Sequence, residues 1–246
     1  MSATRLAFPD GAASDDLGDF DQFHPGGRAA TEALAAAANP AHGSIVLDVG
    51  AGLGGAARWL AAHFGCHVTC LDLTPEYCEA AEALTKFTGL GSLVKVRQGD
   101  ALKTPFDDCA FDLVWAQNAF MNIEDKAGLF HELHRVLKPG GRLAFMEVMA
   151  GPIGEPVYFP VPWADRPELS FLEPPDNYRQ KIEGADLEVL LWEDMGTWLT
   201  SLAATPDSRG LDWDVYVDNL SVKGPNSARS RKDGRVVQWR AVCTRR

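Results

Sequence analysis

Asp48-Val49-Gly50-Ala51-Gly52-Leu53-Gly54-Gly55 follows the apolar run Ser44-Ile45-Val46-Leu47 and precedes the amphipathic stretch Ala56 to Phe64. That order predicts a buried strand, a glycine-rich turn and a helix. Glycines accept positive φ and carry no Cβ, and a helix start presents unpaired N–H groups, so a ligand can touch bare backbone there. The stretch reads as a nucleotide-type site. Gly50, Gly52 and Gly55 also satisfy G-x-G-x-x-G, so the turn by itself leaves open which nucleotide binds.

The flanking segments repeat the same alternation. His67 to Leu71 is a short apolar strand ending on Asp72. Thr74-Pro75 with Glu76 and Glu79 starts a helix, with proline in its first turn and acids near its positive end, expected to reach Thr88. Leu93 to Arg97 reads as a third strand before Gly99-Asp100-Ala101, and Phe111 to Trp115 as a fourth. Lys126 to Leu137 is a helix closed by Lys138-Pro139-Gly140-Gly141, and Arg142 to Val148 a fifth strand. Upstream, alanine-rich Thr31 to Ala38 is a helix that stops before Asn39-Pro40. Strands alternating with helices at this spacing imply an α/β fold, a doubly wound parallel sheet with right-handed crossovers. Ligands of such sheets sit beyond the carboxyl ends of the strands, where Asp48 to Gly55, Asp72, Asp100 and Gln117-Asn118 all fall.

Residues 1–19 are small, polar and acidic and are expected to form a mobile arm, leaving 20–246 as a single domain. Residues 150–175 are rich in proline, which forbids a lasting helix, and carry Tyr158, Phe159, Trp163 and Phe171 between the prolines. They are expected to cross the rim as a lid. A helix is expected at Asn177 to Gly184, a strand at Leu187 to Trp192, a helix at Met195 to Ala203 and a last strand at Arg235 to Thr244, with 205–234 unassigned.

At 246 residues, 46% hydrophobic and 23% charged, the chain suits one well-buried domain. It has no apolar stretch of about 18 residues and no charged-then-apolar leader, so a soluble cytoplasmic protein is expected. The five cysteines, an odd number without a CxxC pair, read as reduced structural thiols. A net charge of −11 opposes nucleic acid or an anionic membrane as partner and favours a small neutral or cationic substrate; it leaves a homodimer open. Arg229, Arg231, Lys232, Arg235, Arg240, Arg245 and Arg246 gather late and read as a solvated strand edge. His131, Glu132 and His134 come near His-Glu-x-x-His, but the second histidine is one residue early, and no metal site is expected.

Gly55 is followed by Ala56-Ala57 where a phosphate loop needs Lys-Ser or Lys-Thr, so phosphoryl transfer is disfavoured. Asp72 would suit the ribose of a nicotinamide dinucleotide, yet Asp48, two residues before the first glycine, is a poor neighbour for pyrophosphate and suits a ligand with a cationic end. The glycine turn, Asp72, Gly99-Asp100-Ala101, Phe111-Asp112-Leu113-Val114 and Leu137-Lys138-Pro139-Gly140-Gly141-Arg142-Leu143 together resemble the ordered signatures of class I S-adenosylmethionine-dependent methyltransferases, over about residues 20 to 150. That resemblance implies a Rossmann-like, seven-stranded, mostly parallel sheet with an antiparallel last strand, S-adenosylmethionine as cofactor and S-adenosylhomocysteine as product. By it, Asp72 would hold the ribose hydroxyls, Asp100 the adenine amino group, and Leu73 and Ala101 the adenine faces. Gly50 and Gly52 would pass the methionine part, with Asp48 ordering the turn or touching the ligand.

Within that class, Gly54-Gly55-Ala56-Ala57-Arg58-Trp59-Leu60 and Trp115-Ala116-Gln117-Asn118-Ala119-Phe120 resemble the sarcosine/dimethylglycine N-methyltransferase-like and UbiE-like small-molecule enzymes. Asp21 to Arg28 is similar to their N-terminal cover, which makes Gln22 and Arg28, together with Gln117, expected cofactor contacts. The chain departs from them at Asn118 and Asn122, amides where those relatives often carry an acid and a histidine. Transfer from a sulfonium needs alignment and dryness more than acid–base help. His24 and Glu147 are the candidate bases at the rim, and Asn118, Phe120, Asn122, Tyr158 and Trp163 the candidate substrate contacts. Methylation of a small amine is expected. C- or O-methylation of an aromatic, quinone or polyketide-type metabolite, and a non-methylating protein that uses the cofactor structurally, are the alternatives.

Overall fold

The computed structural model describes residues 11–18, 20–154, 157–202 and 217–246. Helix α1 (Gly27–Ala38) leads into strand β1 (Ile45–Val49), α2 (Gly55–Phe64), β2 (His67–Asp72), α3 (Pro75–Phe87) and β3 (Val94–Gln98). The chain then returns through β4 (Phe111–Gln117), α4 (Lys126–Val136) and β5 (Leu137–Ala150). It finishes with α5 (Pro175–Gly184), β6 (Leu187–Asp194), α6 (Gly196–Ser201), α7 (Leu220–Lys232) and β7 (Val236–Arg245). The seven strands form one sheet in the order β3-β2-β1-β4-β5-β7-β6. β1 to β5 pair in parallel, and β7 runs antiparallel to both β5 and β6, the Rossmann-like topology expected from the sequence.

Both sheet faces are covered, which is why the central strands read as continuous apolar runs. Side chains alternate between faces along a strand. Val46, Trp115, Ala144 and Met146 pack with Ala30 and Leu34 of α1 and Ala57 and Leu60 of α2. Their neighbours Leu47, Val114, Leu143 and Phe145 pack with Leu129 and Leu133 of α4 and Ile182 of α5. The strand order reverses between β1 and β4, so the loops after these two strands part there and open the crevice where such folds bind ligands. The approach is close: a Cβ on Gly50, whose φ is +67°, would meet the Ala119 Cβ at 2.3 Å.

Several sequence expectations shift. The arm expected through residue 19 is docked in part, for Ser14–Leu17 forms a 3-10 turn and Leu17 is fully buried beside Leu53 and Leu84. Leu17 and Ala12 pack there, and Asp15 pairs with Arg28 at 3.5 Å. Residues 1–10 and Asp19 lie outside the described residues. β5 begins at Leu137, directly after α4, so Lys138 to Gly141 lie within its span. The late basic residues are not all a solvated edge, because Arg240 pairs with Glu193 and donates to Ala33 O at 2.9 Å, and Arg245 donates to His134 O at 2.9 Å. Part of the unassigned stretch is α7, whose Gly224 and Pro225 give little helix signal. Tertiary contacts hold it: Lys223 pairs with Asp165 at 2.7 Å, Asn226 donates to Pro160 O at 3.0 Å, and Ser230 Oγ accepts from Tyr158 N at 3.1 Å. No helix among the described residues is long and apolar enough to cross a membrane. All five cysteines are free thiols.

Candidate active site

The glycine turn is pinned to the end of β2. Gly50 N and Ala51 N both donate to Leu71 O, at 2.8 and 3.2 Å, and Gly52 N donates to Asp72 Oδ2 at 2.8 Å. The other Asp72 oxygen accepts from Thr74 N at 2.9 Å, at the start of α3. A carboxylate offers about four acceptor positions, so two backbone bonds leave capacity for further donors. Asp48, 3% exposed, lies at the end of β1 with Oδ2 unpartnered among the described residues. Burial, reinforced by the charge of Asp72, pushes its carboxyl up to about 7. Leu73, next to Asp72, is 68% exposed although large and apolar. Asp100 is exposed after β3 and accepts from Leu102 N at 2.8 Å, with half-buried Ala101 beside it.

The N-terminal segment lies across the start of α2. A Cβ on Gly55 would stand 2.1 Å from Asp21 O, so only glycine admits the segment there. Asp21 and Arg58, both buried, pair at 2.6 Å, and the same guanidinium reaches Thr85 Oγ1 at 3.3 Å. This clamp joins cover, α2 and α3. It goes beyond the residues singled out from sequence, though an arginine within the apolar run Ala56-Ala57-Arg58-Trp59-Leu60 is a visible signal. Buried charges need partners, and Arg58 requires an acid from elsewhere.

Behind the cover, polar side chains from three elements meet at Thr31 of α1. Its hydroxyl lies 2.6 Å from Gln22 Oε1, 3.0 Å from Gln117 Oε1 and 3.4 Å from His24 Nε2. Trp115 Nε1 also donates to Gln117 Oε1 at 3.0 Å, while Gln117 Nε2 is buried and unpartnered among the described residues. Asn118, held at φ 53°, closes β4 and accepts through Oδ1 from Gln238 Nε2 at 3.1 Å. The structure thus brings Gln22, His24, Gln117 and Asn118 together, and adds Thr31 and Gln238, which the sequence did not single out.

The remaining candidates are engaged elsewhere. Arg28 turns to Asp15 and Glu32, at 3.5 and 3.2 Å. Phe120 is fully buried against Phe130 and Phe145. Asn122 donates to Trp163 O at 2.8 Å and Leu169 O at 3.0 Å, tying the proline-rich segment to the turn after β4. Trp163 Nε1 donates to Ser170 Oγ at 3.0 Å. Tyr158 donates to Asp233 at 2.9 Å and carries the Arg229 and Arg235 guanidiniums 3.9 and 4.6 Å from its ring centroid. Glu147, expected as a base at the rim, is fully buried instead, its oxygens accepting from Phe120 N at 2.6 Å and Val148 N at 2.9 Å. Burial lifts its carboxyl to about 8. Nearby Lys126, also buried, donates to Phe171 O at 2.8 Å and to Ile123 O. Among the described residues no cluster of ligating side chains could hold a metal ion.

Residues 47–145 match a family described as a methyltransferase domain. Methyltransferase GfsG of Streptomyces halstedii is 30% identical over 213 residues, which cover 85% of this chain and 75% of that protein. The chain belongs to the S-adenosylmethionine-dependent methyltransferases. A glycine/sarcosine/dimethylglycine N-methyltransferase from Actinopolyspora halophila is 38% identical over 154 residues, 63% of this chain but only 27% of that longer protein. The solved geranyl diphosphate C-methyltransferase of Streptomyces coelicolor A3(2) shares the fold, with a TM-score of 0.71, 20% identity, and coverage of 89% of this chain and 80% of that one.

Proposed function

We propose that this chain transfers a methyl group from S-adenosylmethionine to a small-molecule acceptor, with an amine nitrogen preferred. The observation that carries the proposal is the convergence of the glycine turn, Asp72 and the neutral amides of Gln22, Gln117 and Asn118 on one rim of the sheet. The residues present suit the cofactor. Among the described residues nothing stands within 4 Å of where a Cβ on Gly52 would be, so the turn offers open backbone. Asp72 has acceptor capacity for the ribose hydroxyls, and exposed Leu73 offers an apolar face to adenine opposite Ala101, with Asp100 for its amino group. Gln22 and the rest of the cover would close over it, with Arg28 fixing the cover through Asp15 rather than by direct contact.

When bound, the cofactor supplies a methyl group on a sulfonium that needs no further activation. The protein must then hold the acceptor nitrogen in line, keep water out and leave the lone pair free. Neutral amides meet these demands, whereas a carboxylate beside the amine would favour its protonated form. His24, beside Thr31, is the one candidate among those named that could take a proton at this rim. A second reading has its own observation. Val157, Val161 and Ala164 of the lid pack with Phe159 and Trp163 over Met121 and Val148, an apolar cap suited to a flat substrate and to C- or O-methylation.

Calorimetric titration with S-adenosylmethionine, S-adenosylhomocysteine and NAD tests the cofactor. Micromolar binding of the first two and none of NAD is expected, and NAD binding alone would overturn the proposal. A transfer assay across amines, phenols and quinones then separates the two acceptor readings.

A further inference from the structure

We propose that Gln238 anchors the acceptor substrate, its Oε1 accepting an N–H from a small amine while its Nε2 holds Asn118. The inference rests on the methyl-transfer reading above and specifies its substrate subsite. Gln238 is 2% exposed, and its Oε1 has no hydrogen-bond partner among the described residues. Native structures rarely bury an amide oxygen without a donor, and an orphan of this kind asks for an explanation such as a ligand.

The sheet register says where that oxygen stands. Gln238 on β7 lies opposite Val148 on β5, and Gln117 on β4 lies opposite Met146 of the same strand. Residues paired across a ladder share a face, as do residues two apart on one strand. Gln117, Met146, Val148 and Gln238 therefore share one face at the carboxyl ends of β4 and β5. Gln117 joins this row to Thr31 and the N-terminal cover, and Val148 joins it to the underside of the lid. Gln238 thus stands between the polar row at the cover and the apolar cap.

The side chain is also held in place. Its backbone oxygen accepts from Met195 N at 2.8 Å where α6 begins, and its Nε2 is committed to Asn118 Oδ1 at 3.1 Å. An amide with its nitrogen end fixed presents its oxygen in a set direction. A neutral carbonyl orients an amine while favouring its protonated form far less than a carboxylate would, so the nitrogen lone pair is freed more readily. Asn118, where an acid is common in the resembled enzymes, keeps the same neutrality.

Calorimetry on the wild type, Q238L and Q238E, each saturated with S-adenosylhomocysteine, tests the inference. Sarcosine is the probe, and N,N,N-trimethylglycine, which has no N–H, is the control. Q238L is expected to weaken sarcosine binding about tenfold, the size of one good hydrogen bond, and to leave trimethylglycine and S-adenosylhomocysteine binding unchanged. Q238E is expected to keep sarcosine affinity while lowering turnover at pH 7 and moving the pH optimum upward, because its carboxylate favours the protonated amine. Equal sarcosine affinity in wild type and Q238L overturns the inference, as does a saturated wild type that binds no sarcosine. A wild type that fails to bind S-adenosylhomocysteine takes down the methyl-transfer reading itself, and that result is read before any amine is added.

Discussion

On the β1–β2 side of the rim, the parts that meet are close in sequence: Gly52 and Asp72 are 20 positions apart and joined by a hydrogen bond from the Gly52 backbone N–H to the Asp72 carboxylate. On the β4–β5–β7 side they are far apart, with Thr31 and Gln117 separated by 86 positions and Asn118 and Gln238 by 120. The first half is a backbone device, in which glycines are demanded by positive φ or by close approach and an acid by the N–H groups around it. The second half is made of side-chain amides that many residues could replace without disturbing the sheet. A backbone demand constrains residue type and spacing together, whereas a side-chain meeting constrains only the fold.

The largest expected effect tests a long-range side-chain pair on the β1–β2 side of the rim. Arg58→Met leaves the Asp21 carboxylate buried without its partner at 2.6 Å. Removing one member of a buried pair costs about 3–5 kcal/mol, so the urea midpoint should fall sharply. A loss below about 1 kcal/mol, within the range of an exposed pair, would show that the cover does not depend on the clamp.

Next in size is Asp72→Ala, which removes acceptors for Gly52 N and Thr74 N and, by the proposal, for the ribose. Charge-assisted hydrogen bonds are worth about 1.5–3 kcal/mol, so S-adenosylhomocysteine affinity should drop about 10- to 100-fold. Undiminished affinity would sink the ribose assignment.

The legibility of the chain follows the same division. Asp48 to Gly55, Asp72 and the strand–helix alternation can be read because each is a local requirement with a fixed spacing. Glu147 is legible as a residue near the end of β5, but sequence does not say which way a strand residue turns at the rim, and here it serves the backbone of Phe120. Thr31 reads only as part of a helix, and Gln238 only as one residue of an alternating strand. Their meaning lies in contacts that no local pattern encodes. Helix α7 is illegible because Gly224 and Pro225 contradict helix propensity, and tertiary hydrogen bonds with the proline-rich segment override it.

Glu147 also gives the β4–β5–β7 side a pH signature. Its carboxyl, raised by burial from 4.5 to about 8, keeps its proton in the folded chain across a range where the unfolded chain has released it. The folded state holds the extra proton, so stability should fall as pH rises between 4.5 and about 8. Lys126, lowered from 10.5 to about 8 by burial, acts in the opposite sense, and stability should recover between about 8 and 10.5. Each proton contributes at most about 1.4 kcal/mol per pH unit to a slope. Asp48, raised by burial from 3.8 to about 7, adds its own fall up to about pH 7. In E147Q the descending limb should therefore lose one proton's share of its slope, most visibly between about 7 and 8, while the rise carried by Lys126 remains; a descending limb of undiminished slope would remove Glu147 as its source.

The smallest effect is the sharpest test of the comparison, because it acts at the point where the two halves touch. Thr31→Val keeps the volume and β-branch of a fully buried side chain but deletes the hydroxyl shared by Gln22 and Gln117. A hydroxyl carries one proton and so donates to one acceptor at a time. The loss in stability should therefore match a single hydrogen bond, about 1 kcal/mol. The two amide oxygens respond differently: Gln117 Oε1 still accepts from Trp115 Nε1 at 3.0 Å, whereas Gln22 belongs to the cover. If Thr31 links the cover to the substrate row, the variant should bind S-adenosylhomocysteine more weakly, by about twofold to fivefold, while Gln117 keeps its place. A variant that loses stability but binds the cofactor as well as wild type would show that the hydroxyl only packs the interior, and that the two halves of the rim are independent.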